Sequence, residues 1–457
     1  MDAVLRTDLG RFEAILEEAA RLSDRYLSGL DARTVSRPPI SLPLLDLPDE
    51  GRGASDALDV FDARYFAELT ASTGPRWFGY VVGGATPAAV AGDWLTAALD
   101  QDNGEGATVH LEIEAVHMLR QLLGLPADHS GLFVTGGTMA NFAGLATGRQ
   151  WLGRERGVDV AHEGLVAAGP VTVLSGCPHA SIGKALAMLG LGRASLDEVP
   201  CLPGTEAVDP AALQSALRRL NGRPCIVVGN AGTVHATSFD DFEALGRLKR
   251  EFGFWLHVDA AFGLFAACSP RYAHLVAGVA HADSITVDAH KWLNVPYDCG
   301  VIFTRHADLQ RQVFRNAGAA YLGDPPDAVD FMNRTPESSR RLRALPVWFT
   351  LMAYGRSGYR DIVERDCEMA AALARRIEES TEFALLCPTT LNVVCFTLRG
   401  RPEAAPALLE RLTADGRVFM TPTVYHGVPG IRAALCNWRT SDRDVAIAWD
   451  ALRRCVP

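Results

Sequence analysis

The chain has 457 residues, 48% of them hydrophobic, and carries 44 Lys and Arg against 54 Asp and Glu, a net charge of −10. That length exceeds one ordinary domain, and an acidic balance without a block of like charge argues against nucleic acid or an anionic membrane as the partner. No apolar run approaches the roughly 20 residues that span a bilayer, and Met1 to Glu18 reads as a mixed-charge helix, not a secretion signal.

In chain order, residues 8 to 30 have the periodicity of an amphipathic helix, and 36 to 56, rich in Pro, Gly and Asp, read as an extended connector. From residue 108 onward short apolar strands alternate with helices. The pattern predicts helix 111–123, strand 131–135, helix 139–151, strand 171–174, helix 181–190, strand 224–228, helix 240–252 and strands 254–258 and 284–288. Continuous apolar strands between helices mean an α/β fold with a largely parallel sheet covered on both faces. Beyond residue 340 a helical stretch (341–379), a strand (392–398), a helix (402–414) and a strand (432–437) indicate a smaller α+β part. The division expected is an N-terminal helical and extended segment over 1–100, a large domain over 101–345 and a C-terminal α+β domain over 346–457. The ten cysteines are scattered without a Cys-x-x-Cys pair. Cys177, Cys225, Cys268, Cys395 and Cys436 read as buried free thiols of a cytoplasmic protein, and the absence of ligand spacing predicts no metal site.

Three lysines are present, Lys184, Lys249 and Lys291. Lys249 lies in an amphipathic helix pattern and is expected to be solvated, whereas Lys184 follows a glycine in an Ala/Leu-rich helix that can approach a site. Lys291 follows the strand-like run Asp283 to Val287 and precedes a turn with Asn294 and Pro296. A lysine that loses solvation at the end of a buried strand is suited to Schiff-base chemistry.

In open α/β sheets ligands sit at the carboxyl ends of strands, and four features fall there. In Thr135 to Asn141, glycines let the backbone approach an anion, the helix start offers free N–H groups, and Thr138 adds a hydroxyl; an ordinary strand-to-helix turn is the plainer reading. His179-Ala180-Ser181 offers an imidazole to stack on a flat ring or to cap a helix. His257 to Ala261 ends an apolar strand with Asp259, a carboxylate that is costly to bury unpaired. A pyridinium N–H is one suitable partner, a turn cap or an arginine another, and small Ala261 leaves room for a ring. The fourth feature is His290-Lys291. A phosphate cradle, a stacking group, an acid for a ring nitrogen and a Schiff-base lysine, on successive sheet connections, are the parts that pyridoxal 5'-phosphate requires. Neither a Gly-x-Ser-x-Gly elbow nor Gly-x-Gly-x-x-Gly after the first strand is present, which argues against a serine hydrolase or a dinucleotide enzyme.

Gly136-Gly137-Thr138 with Asn141, His179, His257 to Ala261 and Asp288-Ala289-His290-Lys291-Trp292 resemble the group II pyridoxal-phosphate-dependent amino-acid decarboxylases, the family of aromatic amino-acid and glutamate decarboxylases. Pro75 to Tyr80, Arg340 to Arg343 and Asn437 to Thr440 extend the likeness over roughly residues 60 to 450. The resemblance implies a fold-type-I enzyme with a mostly parallel seven-stranded sheet, a homodimer with sites at the subunit interface, and a small-molecule amino-acid substrate. It implies that Lys291 holds the cofactor, that Asp259 keeps the ring nitrogen protonated, and that His179 stacks on the ring and orients the substrate carboxylate. Gly137, Thr138 and His290 would bind the phosphate, Ala261 would leave space for the ring, and Thr233 would reach its phenolic oxygen. Trp77, Phe78 and Tyr80 would form a substrate pocket, or else dimer-interface core. The reaction implied is loss of CO2 through a quinonoid carbanion.

The resembled aromatic decarboxylases reprotonate that carbon with a loop tyrosine. Counted back without gaps from Arg340, the position is Phe331, and no tyrosine lies between Tyr321 and Tyr354. Phenylalanine cannot supply the proton. Oxidative deamination with O2, giving an aldehyde, therefore stands as the alternative to simple decarboxylation, unless the loop aligns with a shift or His179 or water protonates. Elimination at Cβ, aminotransfer with Arg432 or Arg439 on a carboxylate, and a catalytically silent homologue are the remaining readings. Arg334, in the loop from Asp324 to Pro336, would recognise an acidic or phosphorylated substituent or be solvated.

Overall fold

The structure, a computed structural model, describes residues 1–99, 106–316 and 331–457. Tyr321 and the stretch from Asp324 to Asp330 of the loop singled out above lie outside the described residues.

Seven strands form the central sheet: β1 (Ser130–Val134), β2 (Val173–Ser175), β3 (Leu196–Glu198), β4 (Ile226–Asn230), β5 (Trp255–Asp259), β6 (Ser284–Val287) and β7 (Gly300–Thr304). Their order is β1-β7-β6-β5-β4-β2-β3. β7 runs antiparallel to both β1 and β6, and the remaining pairs are parallel. The strands β4 to β7 are buried along their whole length, as expected where helices cover both faces. The helix Gly137–Glu155 packs on β5, β6 and β7. It lies close because two glycines one turn apart face the sheet: a Cβ on Gly144 would stand 2.5 Å from His257 Cε1, and one on Gly148 2.8 Å from Trp255 Cδ1. The helix Phe242–Phe252 is capped by the Asp241 carboxylate, which accepts from Ala244 N, and ends at Gly253 with φ 66°. Within it Lys249 is not solvated as expected. Its amine pairs with Asp283 at 2.7 Å and donates to the His281 carbonyl, because the helix leans its last turn on the start of β6.

The C-terminal part is a four-stranded antiparallel sheet of β8 (Phe383–Leu385), β9 (Val393–Leu398), β10 (Thr421–Tyr425) and β11 (Val428–Ala434), ordered β10-β11-β9-β8. β10 and β11 form a hairpin whose two turn residues, His426 and Gly427, both have positive φ, 46° and 80°, the geometry that matches strand twist. The helices Ala344–Glu378, Ala405–Asp415 and Asp442–Cys455 cover this sheet. The long helix breaks at Gly355, whose φ of 54° and ψ of −164° are not helical. At the N-terminus the expected single helix is two, Ala3–Gly10 and Phe12–Ser28, divided at Arg11. Among the described residues, five further helices of eight residues or more, Ala54–Tyr65, Pro87–Leu99, Pro210–Arg219, Ala307–Phe314 and Asp442–Cys455, have no counterpart in the sequence reading.

Asp366 lies buried in the long helix. One of its oxygens accepts from Trp292 Nε1 at 2.8 Å and the other has no partner. Burial pushes its pKa up from 3.8 to about 8. The folded state therefore holds this proton more tightly than the unfolded chain, and the stability that this confers in acid is lost as pH rises from 3.8 through about 8. Asp366→Asn should stabilise the fold on the order of 1–3 kcal/mol at the alkaline end and leave acid stability unchanged. Urea denaturation of both proteins across that pH range measures it.

Candidate active site

The carboxyl ends of β4 and β5, the turns after β1, β2 and β6, and Arg432 of β11 enclose a cavity of about 170 Å³. Nine residues given a site role in the sequence line it: Tyr80, Gly137, Thr138, His179, Thr233, Asp259, Ala261, Lys291 and Arg432.

Asp259 ends β5 with 7% of its surface exposed. A directed run of donors reaches it. Trp255 Nε1 donates to Ser284 Oγ (3.1 Å), Ser284 Oγ donates to His257 Nδ1 (2.8 Å), His257 Nε2 donates to Asn141 Oδ1 (2.9 Å), and Asn141 Nδ2 donates to Asp259 Oδ2 (2.9 Å). Thr286 Oγ1 also donates to Asn141 Oδ1 (2.6 Å), and Ala261 N donates to Asp259 Oδ1 (3.3 Å). Burial holds His257 down to about 4, so it is neutral and its single ring proton points along the run. The carboxylate is thereby fixed at the cavity wall, where a protonated ring nitrogen can meet its free lone pairs.

His179 caps the helix Ala180–Met188. Its Nδ1 accepts from Ser181 N (3.2 Å) and lies 2.7 Å from Ser181 Oγ, which Asn141 Nδ2 also holds. Burial, more than any charge, lowers its pKa. His179 thus caps its helix and also lines the cavity.

Lys291 Nζ sits 3.2 Å from Asp288 Oδ2, and Asp288 Oδ1 accepts from Gly137 N at 2.6 Å. Asp288 was not singled out by itself in the sequence, yet it joins the lysine to the helix N-terminus expected to cradle a phosphate. His290 lies beside the same carboxylate, with Nε2 3.5 Å from Asp288 Oδ1, stacks on Tyr297, and is displaced from the cavity toward a neighbouring one. The Gly136-Gly137 turn has no room for side chains: Gly136 adopts φ 146°, and a Cβ on Gly137 would stand 2.6 Å from Asp288 Oδ2.

Thr233 lines the cavity, but its hydroxyl donates to the buried Glu206 carboxylate and accepts from Ser238 N. Its proton is thus committed away from a phenolic oxygen. Arg432, one of the two arginines named in the sequence for a substrate carboxylate, lines the cavity. It is 4% exposed, its Nε and Nη2 have no partner, and burial pulls its pKa down to about 10. A buried guanidinium with free donors calls for an anion.

Other expectations are corrected. Phe78 is not at the cavity. It is 1% exposed in the C-terminal core, because its backbone pairs with Phe419 and Ala434 and turns the ring inward. Trp77 stacks on Phe419 at 4.0 Å and lines the neighbouring cavity. Tyr80 does reach the cavity, on a strained backbone: Tyr80 and Val81 have φ of 57° and 59°. Phe331 is not brought to the cavity of its own chain. Its ring is buried against Leu132, Val134 and Ile302, with the Arg340 guanidinium 4.7 Å over it and that guanidinium paired with buried Glu112. Arg334 donates to Ser130 and Gln310, Arg439 stacks on Trp438, and Lys184 is exposed on its helix.

Pyridoxal 5'-phosphate fits these residues: an amine, a supported carboxylate, a glycine turn at a helix start and a buried guanidinium with free donors surround one cavity. The class of protein so defined is a pyridoxal-phosphate-dependent enzyme of fold type I. The conserved domain of pyridoxal-dependent decarboxylases matches residues 56–399, and the chain belongs to that family. It is 27% identical to an aromatic-L-amino-acid decarboxylase of Bacillus atrophaeus, over 87% of this chain and 85% of the relative. It is 26% identical to a phenylacetaldehyde synthase of Petunia hybrida, over 85% and 82%. The crystal structure of Oryza sativa TDC with PLP and tryptamine superposes with a TM-score of 0.90, covering 98% of both chains at 22% identity. The protein is thus a pyridoxal-phosphate-dependent amino-acid decarboxylase in family and fold. Among the described residues, no helix is long and apolar enough to cross a membrane.

Asn141→Ala takes a donor from Asp259 and strands the donors of His257 and Thr286. It should cost on the order of 1–3 kcal/mol of stability and weaken cofactor retention, read by denaturation and by cofactor absorbance after dialysis. His257 resists protonation when folded, so its contribution stands above pH 6.5 and fades as pH falls toward 4. The loss should be about 3 kcal/mol, and His257→Gln should flatten that part of the stability profile.

Proposed function

We propose that the enzyme removes the carboxyl group of an aromatic L-amino acid as CO2, with the cofactor on Lys291, as a cytoplasmic homodimer. The observation that carries the reading is the convergence of Lys291, the supported Asp259 and the unpartnered Arg432 on one cavity. The named activities of the Bacillus relative and the apolar rim of Tyr80, Val81 and Phe262 support an aromatic substrate.

When bound, the cofactor supplies an electron sink for the pair left on Cα as CO2 departs. Asp259 keeps a proton on the ring nitrogen, with the Asn141-His257-Ser284 run holding its charge. The Gly137 and Thr138 end of the helix would bind the phosphate, beside Asp288, which holds Gly137 N and Lys291. Arg432 draws the substrate carboxylate into the cavity, and His179 orients it from the helix cap. The chain divides near residues 100 and 345, and the first part supplies subunit contacts. Leu5, Leu9, Phe12 and Leu16 recur at helical spacing with more than half of their surface exposed, an apolar stripe that a second copy would cover.

A second product is favoured by the missing tyrosine between Tyr321 and Tyr354 and by the Petunia relative's named activity. Without a tyrosine donor, the same substrate would react with O2 and water to give an aldehyde, CO2, ammonia and hydrogen peroxide. An L-amino-acid panel in an oxygen electrode decides between the two: CO2 with amine and no O2 uptake is the expected outcome, and O2 uptake matched to CO2 establishes the oxidative one. No CO2 from any amino acid overturns the reading.

Lys291→Ala should abolish the bound-cofactor absorbance and all turnover. Arg432→Leu should raise KM about 10- to 100-fold, the worth of a charged hydrogen bond at 1.5–3 kcal/mol, with a smaller effect on kcat. Steady-state kinetics on each variant reads both.

A further inference from the structure

Decarboxylation leaves one cluster at the cavity wall without a task. Cys177 follows β2, Glu206 precedes the helix Pro210–Arg219, and His235 lies on the connection after β4. A sulfur, a carboxylate oxygen and an imidazole nitrogen from these three residues all lie within 4.8 Å of one another. Glu206 is buried and accepts from His235 Nδ1 (2.7 Å), from Ala236 N (3.1 Å) and from the Thr233 hydroxyl. Cys177 also lines the cofactor cavity, whereas the His235 side chain is 33% exposed and does not line it.

We propose that Cys177, Glu206 and His235 bind one divalent transition-metal ion of the zinc kind at the wall of the cofactor cavity. Thiolate, imidazole and carboxylate form the donor set that zinc prefers. Bonds of that length put tetrahedral ligand atoms roughly 3.5 Å apart, so the three need only a modest closure. Half-exposed His235 can make it while Glu206 stays anchored by the Ala236 N–H. The charges balance: one thiolate and one carboxylate neutralise a doubly charged cation. On binding, the Cys177 proton passes to solvent, and the His235 ring proton moves from Nδ1 to Nε2. Nothing is oxidised or reduced. Three protein ligands leave a fourth position open, on the side where Cys177 meets the cavity. Linear spacing predicted no metal site because these ligands come from three separate sheet connections. The site does not depend on which amino acid the enzyme takes.

The test is a titration of the cofactor-loaded full chain with Co2+, followed by its visible d–d bands, with Zn2+ as competitor. One tetrahedral Co2+ per chain, displaced by Zn2+, is expected. His235→Gln and Cys177→Ser should each weaken Zn2+ binding about tenfold or more, whereas Cys387→Ser, at a free thiol packed beside Ala236 but outside the cluster, should leave it unchanged. His235 lies outside the cavity lining, so retained cofactor absorbance in its variant shows that the fold is intact. Weak, six-coordinate Co2+ only, binding indifferent to His235→Gln, or loss of the ion with Cys387→Ser would each overturn the assignment.

Discussion

A carboxylate at the end of a buried strand governs much of this architecture. Asp259 lies where water is nearly excluded, and a buried carboxylate is costly unless it is hydrogen-bonded. The run of donors from Trp255 through Ser284, His257 and Asn141 opposes that cost. It crosses from β5 to β6 and back through the helix Gly137–Glu155, so it exists only if that helix lies close to the sheet. Gly144 and Gly148 permit the approach. His257 has to be neutral for its single proton to point the right way, and its burial ensures this. Sheet packing, helix composition and the charge at the site are one constraint seen at three scales.

The cavity is balanced in charge. Asp259 and Asp288 face Lys291 and Arg432 across it. Asp288 holds both Lys291 and the Gly137 N–H, so it stands at the helix N-terminus in the manner of the anion expected there. Arg432 arrives from the C-terminal sheet with free donors. The two sheets therefore contribute opposite halves of the recognition chemistry. The segment from Thr73 to Ala85 is tied between them: Asn437 donates to the Thr73 and Gly74 carbonyls, Thr440 to that of Pro75 and Trp438 to that of Ala85. Those ties hold Tyr80 and Val81 in left-handed conformations at the cavity wall, strain that the surrounding bonds offset.

Much of this was legible residue by residue. Strands β1, β2, β4, β5 and β6 announced themselves as short apolar runs, and Asp259 and Lys291 stood at their ends. β7 escaped notice although Gly300 to Thr304 is equally apolar. Its antiparallel direction was beyond reach, because periodicity carries no information on strand direction. Leu196 to Glu198 pairs as an edge strand with two exposed polar residues, a pattern shared with any loop. Phe78 looked like a pocket residue because aromatic clusters mark pockets and cores alike, and only its pairing with Phe419 and Ala434 turned it inward. Phe331 drew attention as a replaced tyrosine, yet Arg340 and β1 hold its ring in an apolar cluster.

The sequence by itself determined the class of fold, the order of chemical groups along the strand ends and the cofactor they suit. Those depend on residue type and on periods of two and 3.6 residues, which are local properties of a chain. The tertiary structure alone decided which groups meet. It spent the Thr233 proton on Glu206, left Arg432 without a partner, set Asp288 between Lys291 and the helix start, and gathered Cys177, Glu206 and His235 from three connections. Contacts between residues distant in sequence follow from how the layers close around a shared core, and no local pattern encodes that closure.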